Sequence, residues 1–249
     1  MQLEEFYIDD TFLVRTSGTS DGTQDKFFKN GLWFKLDRYG GEGIAECVAS
    51  IILEECGLES SKFVKYTPCL INGRSGCYSK NFLNEDEAFI TLYRLYKNVT
   101  GRDLADVCSK MDYDDAIEYV INFVKQQTAL DIHEYLANTF ALDKVILNDD
   151  RHFNNMGIVY NGVDFKTAPI FDNGKSFLIG NKKARQFDNI SDKIKTAFAK
   201  CFSPSFDMNA RYLQKYQTVK ISLGCINEIN KFKTDKISEM IKILEETLK

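Results

Sequence analysis

Two adjacent aspartates, a histidine and three asparagines lie within one stretch of eight residues, Asn148-Asp149-Asp150-Arg151-His152-Phe153-Asn154-Asn155. The stretch follows an apolar helical pattern and precedes an apolar strand pattern, a junction where such side chains are costly to desolvate without partners. Asp150 and Asn155 have the spacing of Asp and Asn in the catalytic-loop pattern H-R-D-x-x-x-x-N. An aspartate can accept the proton of an attacking hydroxyl, and an asparagine can offer Mg²⁺ a neutral oxygen. A turn rich in Asx residues is the alternative interpretation.

A further acidic group follows one hairpin later, in Phe171-Asp172-Asn173-Gly174. An aspartate at a strand end, with glycine two residues on, resembles the metal-binding D-F-G element. Taken alone, Asp-Asn-Gly is more often an ordinary turn. Its position one hairpin after Asn155 is the order expected for two oxygen ligands of Mg²⁺, which predicts Asn155 and Asp172 as the metal ligands.

One lysine, Lys35, lies inside the apolar strand pattern Gly31-Leu-Trp-Phe-Lys-Leu36. It could point outward as a surface residue, or it could reach the phosphates of a nucleotide from a third strand. Such a lysine needs a carboxylate partner on the next helix, where Glu42 and Glu46 lie four residues apart and on one face. The sequence does not choose between them; we favour Glu46 because it lies deeper in the helix.

A loop rich in Gly, Ser and Thr, residues 16–26, precedes the lysine strand. Glycine lets the backbone approach phosphate oxygens, and its N–H groups can point inward as an anion-binding nest. A solvated hairpin loop is the alternative interpretation. The candidate nucleotide-binding residues of this loop are Ser17, Gly18, Thr19, Ser20, Gly22, Thr23, Gln24 and Lys26.

The elements that must position these residues change in character along the chain. The front part predicts strands and one helix, at 11–15, 31–36, 42–56 (the helix), 62–67 and 76–79. After about residue 85 the apolar spacing predicts helices at 86–97, 113–127, 129–147 and 205–249, with a hairpin at Asn161-Gly162. We therefore expect an α+β fold of two lobes, with a small β-rich lobe at 1–83 and a larger helical lobe at 84–249.

The order of these pieces resembles the HipA-like kinases, a toxin-related branch of the protein-kinase-like superfamily. The residues that carry the resemblance are GTQDK at 22–26, Lys35, EGIAECVAS at 42–50, YSKNFL at 78–83, NDDRHFNNMG at 148–157 and APIFDNG at 168–174. The resemblance implies a bilobal kinase fold that uses ATP and Mg²⁺ to phosphorylate Ser or Thr.

The resemblance also implies roles for single residues. Asp150 would be the catalytic base, Lys35 would contact the nucleotide phosphates, and His152 would lie in the catalytic loop with its role open. Tyr78 and Ser79 would lie near the link between the lobes, where adenine binds. Larger members are switched off by autophosphorylation of a serine in the Gly-rich loop, where this chain offers Thr16, Ser17, Thr19, Ser20 and Thr23.

Composition narrows the functional classes. The 249 residues carry a net charge of −4, which disfavours general DNA binding. No apolar stretch approaches the length of a membrane span, and the first residues lack a secretory signal, so we expect a cytoplasmic protein without membrane contact. Seven cysteines without C-x-x-C spacing and only two histidines indicate reduced thiols rather than a zinc site.

Residues 175–200 are the most basic segment, with seven basic and two acidic side chains. A solvated helix face is one interpretation. A docking surface for an acidic protein segment or a polyanion such as tRNA is the other. The basic residues are Lys175, Lys182, Lys183, Arg185, Lys193, Lys195 and Lys200.

Two other functions stay open from the sequence. A small-molecule or lipid kinase would share the same loop, and a pseudokinase would bind nucleotide as an interaction module. The chain is shorter than the larger toxins and leaves no room for their extra N-terminal subdomain, which weakens any expectation of an antitoxin partner or a DNA-bound complex. The leading hypothesis is a compact Ser/Thr protein kinase.

Overall fold

The computed structural model of the chain describes residues 3–14, 24–232 and 234–249. Its strands are β1 (Glu4–Phe6), β2 (Lys26–Lys29), β3 (Leu32–Leu36), β4 (Tyr66–Ile71), β5 (Arg74–Lys80), β6 (Ala88–Thr91), β7 (Gly157–Tyr160) and β8 (Phe165–Thr167). Its helices are α1 (Glu42–Glu55), α2 (Leu92–Thr100), α3 (Leu104–Cys108), α4 (Tyr113–Thr128), α5 (His133–Ile146), α6 (Ile190–Ile194), α7 (Phe206–Leu213), α8 (Ile226–Ile229) and α9 (Asp235–Thr247). Short 3₁₀ turns connect several of these elements.

The N-terminal sheet has the strand order β1-β4-β5-β3-β2, antiparallel except for the β1–β4 pair. Two of its hairpins turn on Asn-Gly pairs, Asn30-Gly31 and Asn72-Gly73, and all four residues have positive φ. That conformation suits the right-handed twist of the flanking strands and favours asparagine and glycine. The two turns connect β2 to β3 and β4 to β5, and the pairing of β3 with β5 then places Lys35 opposite Cys77.

Helix α1 packs against one face of this sheet. Ala45, Val48, Ala49 and Ile52 have no exposed surface. The close approach depends on glycine, because a Cβ on Gly43 would lie 2.6 Å from the backbone carbon of Gly76 in β5. The helix is thereby held against the strands, with its inner face toward β4 and β5.

The C-terminal part is mostly helical and contains a second sheet of order β6-β7-β8, all antiparallel. Its core joins α1, α2, α4, α5 and α9, and α5 is the most deeply buried of them. A parallel bridge between Phe63 and Ile170 connects the segment after α1 to the segment after β8. The predicted α+β fold, with a β-rich front, a helical rear and an embedded hairpin, is confirmed.

Some predicted elements have different bounds. Residues 86–97 were expected to be helical throughout, but 88–91 form β6, which pairs with β7 before α2 begins. Residues 129–132 precede α5 rather than belonging to it, because Ala129 ends α4 in the left-handed conformation. No helix in the described ranges is long and apolar enough to cross a membrane.

Candidate active site

A buried lysine joins the N-terminal sheet to α1. Lys35 lies on β3, on the face that α1 covers, and is 8% exposed. Its Nζ lies 2.5 Å from Oε1 of Glu46, a residue of α1 that is 1% exposed. The hydroxyl of Tyr66 lies 3.3 Å from the same Nζ. The strand and the helix therefore hold one ammonium group in a fixed position between them.

Glu42, the other candidate partner of Lys35, has a different contact. Its Oε1 accepts hydrogen bonds from the backbone N–H groups of Arg38 and Tyr39, at 3.1 and 2.8 Å. It thereby orders the turn before α1. The structure places Glu46 and not Glu42 against the lysine.

Asp172 completes the cluster from the C-terminal side. Its Oδ1 accepts a hydrogen bond from Lys35 at 2.8 Å, and its Oδ2 lies 3.9 Å from Nζ of Lys26. Burial disfavours the carboxylate, but Lys26 and Lys35 outweigh this effect and hold the pKa of Asp172 well below its usual range. The pKa of Lys35 is raised above its usual value, because Asp172 and Glu46 outweigh the burial of the ammonium group. Both groups are charged at neutral pH.

The backbone at Asp172 is strained. Its φ is +61°, in the left-handed region that residues other than glycine rarely adopt. Such strain costs roughly 1–3 kcal/mol and tends to occur at functional sites. Next to it, the N–H of Asn173 donates to Oε2 of Glu46 at 2.7 Å. Glu46 therefore holds both Lys35 and the segment after Asp172.

A second buried ion pair lies beneath the loop at 148–155. The guanidinium of Arg151 donates through Nε to Oδ2 of Asp143 in α5, at 2.9 Å, and both residues are at most 2% exposed. A second bond to Asp143 runs from Nη2 to Oδ1 at 3.0 Å. The guanidinium also donates to the carbonyls of Asn155 and Phe171, at 3.2 and 2.6 Å, and to Oδ1 of Asn173, at 2.5 Å. Arg151 thus connects α5 to the loop that carries Asp150 and to the segment that carries Asp172.

Removing one partner of such a buried pair typically costs about 3–5 kcal/mol, because the other charge is left without compensation. Neither Arg151 nor Asp143 was predicted from the sequence to be a functional residue. An aspartate in the middle of the apolar pattern of α5 was the available signal, because a buried carboxylate needs a cationic partner. The pair fixes the relative position of Asp150 and Asp172, which lie next to its anchor points in the chain.

Asp150 lies at the surface end of this loop. Its N–H donates to Oδ1 of Asn148 at 3.2 Å, and its carbonyl accepts from Nδ2 of Asn155 at 3.0 Å. Its carboxylate Oδ1 lies 2.5 Å from Nζ of Lys200. The side-chain amides of Asn148 and Asn155 thus bond to the backbone of Asp150 within the loop. The Asp150 carboxylate is left at the surface end of the loop.

His152 is half-buried, and its Nδ1 is buried without a hydrogen-bond partner among the described residues. Burial lowers the pKa of His152, although the nearby Asp150 carboxylate acts in the opposite direction. The ring makes no hydrogen bond with Asp150 in the described part of the chain. Its assignment as a catalytic residue stays a prediction.

The donor set is compatible with a hard divalent cation. Asn155 uses Nδ2 for the Asp150 carbonyl, and its Oδ1 has no partner among the described residues. Asp172, in the segment after β8, supplies a charged carboxylate. A carboxylate and an amide oxygen are ligands that suit Mg²⁺, so these two side chains would hold the ion against nucleotide phosphates. The ion would supply charge neutralisation there.

Comparison with models of known protein families gives no match, and neither does comparison with curated protein sequences. Solved structures do match. The Helicobacter pylori proinflammatory kinase CtkA is 17% identical with a TM-score of 0.68, and the match covers 99% of this chain and 94% of that one. The Shewanella oneidensis MR-1 toxin HipA, solved with HipB and operator DNA, is 11% identical with a TM-score of 0.52. That match covers 96% of this chain and 66% of HipA.

The chain has a HipA-like kinase fold. The resemblance inferred from the sequence is thus confirmed at the level of the fold. Within this kinase fold Lys35, Glu46 and Asp172, which we call the Lys35 cluster, come from the N-terminal sheet, α1 and the segment after β8. The chain spans about two-thirds of the length of HipA and nearly all of CtkA.

The predicted nucleotide loop is described only in part. Ser17, Gly18, Thr19, Ser20, Gly22 and Thr23, like the candidate phosphorylation site Thr16, lie outside the described residues. Gln24 is half-buried just before β2, and Lys26 begins β2 and faces Asp172. The structure thus brings Lys26 to the Lys35 cluster.

Tyr78 and Ser79 point to opposite faces of β5, because side chains alternate along a strand. The ring of Tyr78 packs against Phe6 and Phe34, with centroids 5.1 and 5.9 Å away, on the face opposite Lys35. The side chain of Tyr78 is thus directed away from the Lys35 cluster. Adenine contact through the backbone of Tyr78, and through Ser79, stays a prediction.

The basic segment at 175–200 divides into two groups in the structure. Lys193, Lys195 and Lys200 form ion pairs with Glu239, Asp192 and Asp150, and Lys175 lies over the ring of Tyr39. The other three side chains are exposed and form no ion pair with the described residues; they are Lys182, Lys183 and Arg185. We call these three the basic patch.

Proposed function

We propose that the chain is an ATP- and Mg²⁺-dependent kinase that phosphorylates Ser or Thr hydroxyls of a protein. The observation that carries the proposal is the junction of Lys35, Glu46 and Asp172, in which a charged lysine from β3 meets a carboxylate from α1 and another from beyond β8. Phosphoryl transfer depends mainly on positioning and on charge stabilisation. The junction of Lys35, Glu46 and Asp172 supplies positioned groups and charge stabilisation, in a fold shared with two kinases.

In the proposed reaction each residue has a defined task. Lys35, held by Glu46, would bind the nucleotide phosphates, and Asn155 and Asp172 would hold Mg²⁺. Asp150 would orient the acceptor hydroxyl and take its proton as the oxygen attacks the γ-phosphorus. The loop at 16–26 would cover the phosphates. Residues 1–83 and 84–249 would form the two lobes, with the nucleotide between them.

Nucleotide binding tests this proposal directly. A ligand that binds only the folded state stabilises it by about 2.7 kcal/mol at a hundred times its dissociation constant, which corresponds to roughly 5–10 °C in Tm for a chain of this size. We expect ATP to raise the Tm by this amount only when Mg²⁺ is present. Asp172→Asn should lose the Mg²⁺-dependent part, and Asp188→Asn, at an exposed site, should keep it. An ATP effect that ignores both Mg²⁺ and Asp172 would contradict the proposed site.

We also propose the finer assignments that the resemblance implies. The Thr and Ser residues of the loop at 16–26 are the proposed autophosphorylation sites, because a phosphate there would repel the phosphates of ATP. The basic patch is the proposed contact for an acidic segment of the protein substrate. A reducing compartment such as the cytoplasm agrees with the seven cysteines, all of which are free thiols.

A further inference from the structure

Lys200, which lies outside the loop at 148–155, is placed beside the carboxylate of Asp150. Nζ of Lys200 lies 2.5 Å from Oδ1 of Asp150, although the two residues are 50 positions apart. The contact joins the segment before α7 to the loop after α5. Lys200 belongs to none of the sequence motifs that predict catalytic or nucleotide-binding residues.

The turn that carries Lys200 is fixed from both sides. Sγ of Cys201 donates to the carbonyl of Arg151 at 3.1 Å, and Cys201 has a φ of +76°. Nδ2 of Asn209, a buried residue of α7, lies 3.4 Å from the carbonyl of Lys200 and 3.1 Å from that of Ser203. The segment therefore attaches to the backbone of the residue next to Asp150 and to α7.

Phe202 adds an apolar contact to the same turn. Its ring lies 5.4 Å from the ring of Phe153, in the catalytic loop, and 5.8 Å from that of Phe140, in α5. Strained backbone, a thiol hydrogen bond and aromatic packing thus all act to place the neighbours of Lys200 on the loop. An incidental ion pair at the surface would not need these additional contacts to hold its lysine in place.

Stability does not explain the contact. The side chain of Lys200 is 49% exposed and that of Asp150 is 33% exposed. Ion pairs in such surroundings contribute roughly 0–1 kcal/mol. Lys200 is held in place but adds little to the stability of the fold. A role in binding a negatively charged ligand explains its position better.

Two buried cations of the site, Arg151 and Lys35, already have their own partners. Arg151 is buried, and its guanidinium is used by Asp143, by Asn173 and by two backbone carbonyls. Lys35 is held by Glu46 and Asp172. Within the described residues, Lys200 is the lysine that forms an ion pair with Asp150, and its side chain is still partly open to solvent.

We propose that Lys200 is a catalytic residue that contacts the γ-phosphoryl oxygens of ATP; this rests on the proposed function. In the step, the acceptor oxygen forms a bond to the γ-phosphorus while the bond to the β–γ bridging oxygen breaks. ADP leaves with that electron pair, and Asp150 takes the hydroxyl proton. Lys200 stabilises the charge on the transferred group and keeps Asp150 oriented before ATP arrives.

The test compares ligands with and without the γ-phosphate. Lys200→Met should weaken binding of the β,γ-imido analogue of ATP by about tenfold, as expected for one charged hydrogen bond, and leave Mg²⁺-ADP binding within twofold. The rate of ADP formation from Mg²⁺-ATP should fall by about 10²–10³, the usual cost of removing one charge-stabilising donor. Lys200→Arg should recover at least tenfold of that rate.

Lys195→Met is the matched control, because Lys195 lies in the same segment and its ion pair with Asp192 is exposed. It should leave all three measurements unchanged. Equal weakening of ADP and analogue binding by Lys200→Met, or no recovery with arginine, would make Lys200 structural and overturn the proposal. Faster ADP formation would also overturn it, by making Lys200 an inhibitory contact.

The two proposals fail in different ways. Wild-type protein that binds neither nucleotide would remove the proposed function and this inference with it. Wild-type protein that binds both nucleotides and forms ADP, with Lys200→Met behaving like wild type, would remove only the role of Lys200. Thermal unfolding of each variant without ligand shows whether it is folded before binding is measured.

Discussion

At the residue scale, Asp149 and Asp150 are adjacent carboxylates with different surroundings. Burial raises the pKa of Asp149 to about 6, with Lys175 opposing the shift, whereas the carboxylate of Asp150 is directed to Lys200 at the opening. Burial therefore makes the ionised carboxylate less favourable at Asp149, whereas Asp150 is paired with a lysine at a partly exposed position. The two side chains have different surroundings because the chain turns between them.

The surroundings of Asp149 predict a pH dependence of stability. In the unfolded chain Asp149 releases its proton near pH 4, whereas in the folded chain it keeps the proton to about pH 6. The folded state then binds more protons in this window, so the free energy of unfolding falls as pH rises from 4 to 6, by at most about 3 kcal/mol from this group.

Asp149→Asn should remove that part of the slope and be more stable than wild type at pH 7.5. Urea unfolding at pH 4.5 and 7.5 measures both quantities. Asp188→Asn, at an exposed position, controls for the loss of one negative charge. If Asp149→Asn keeps the wild-type difference between the two pH values, the burial of Asp149 is not what shifts its proton.

Much of the candidate site at this scale followed from residue spacing. Asp150, Asn155, Asp172 and Lys35 stand out in the sequence because polar types interrupt apolar patterns. The buried partners did not stand out, because Asp143 lies 29 residues before Asp172 and is connected to its neighbours Phe171 and Asn173 through Arg151. Such contacts depend on how α5 lies under two loops, which spacing along one element does not reveal.

At the element scale, the distance between α1 and the N-terminal sheet controls the Lys35–Glu46 contact. Gly43 lies in the first turn of α1, and Gly76 lies opposite it on β5. A Cβ at position 76 would lie 2.3 Å from the carbonyl oxygen of Lys35. Both positions therefore need glycine for close approach rather than for backbone conformation.

Gly43→Ala should push α1 away from β5 and lengthen the Lys35–Glu46 contact. Overpacking of this kind typically costs about 1–3 kcal/mol, and the displacement should weaken ATP binding as well. Gly224→Ala is the control, because its Cβ would meet only Ser222 Oγ at 3.4 Å. Chemical denaturation and nucleotide titration measure the two effects. A Gly43→Ala protein with wild-type stability and affinity would show that the helix does not depend on this contact.

The N-terminal sheet shows which elements a sequence can reveal. The Asn-Gly pairs at 30–31 and 72–73 are strong hairpin signals, and they could have located β2 and the β4–β5 register beside the lysine strand. By contrast, β6 was predicted as helix because Phe89 and Ile90 continue the apolar spacing of α2. Only pairing with β7, some 70 residues later, makes 88–91 a strand.

At the scale of the whole molecule, charge is distributed unevenly. The chain is acidic overall, yet the basic patch of Lys182, Lys183 and Arg185 is exposed and lies in the segment after Asp172. A local positive field attracts acidic ligands even when the net charge is negative. This distribution supports an acidic substrate segment better than it supports general nucleic-acid binding.

Charge reversal of the basic patch, in a triple Lys182→Glu, Lys183→Glu, Arg185→Glu variant, should raise KM for an acidic Ser/Thr peptide at least tenfold. The KM for ATP should stay unchanged, because the patch lies outside the Lys35 cluster. Reversal of three exposed lysines elsewhere, Lys97, Lys125 and Lys220, controls for net charge. Equal effects of the two triple variants would assign the change to long-range charge and remove the docking surface.

The bilobal kinase fold was accessible from the order of motifs along the chain, since the loop, the lysine strand, the helix glutamate and the two acidic segments follow one another as in known kinases. Lys200 was not accessible in this way. It reaches Asp150 only because Cys201, Phe202 and Asn209 fold its turn back onto the loop. Residues supplied from a distant segment have no fixed spacing to a motif, so only the structure identifies them.

Transfer of the γ-phosphate tests the central claim most directly. Purified protein would be incubated with γ-labelled ATP, Mg²⁺ and a mixture of Ser/Thr peptides, beside Asp150→Asn and the exposed-site control Asp188→Asn. We predict that wild type and Asp188→Asn transfer label to peptide or to their own Ser and Thr residues, and that Asp150→Asn loses at least 10³-fold of this rate. Equal labelling by wild type and Asp150→Asn, or no transfer by wild type, would contradict the account.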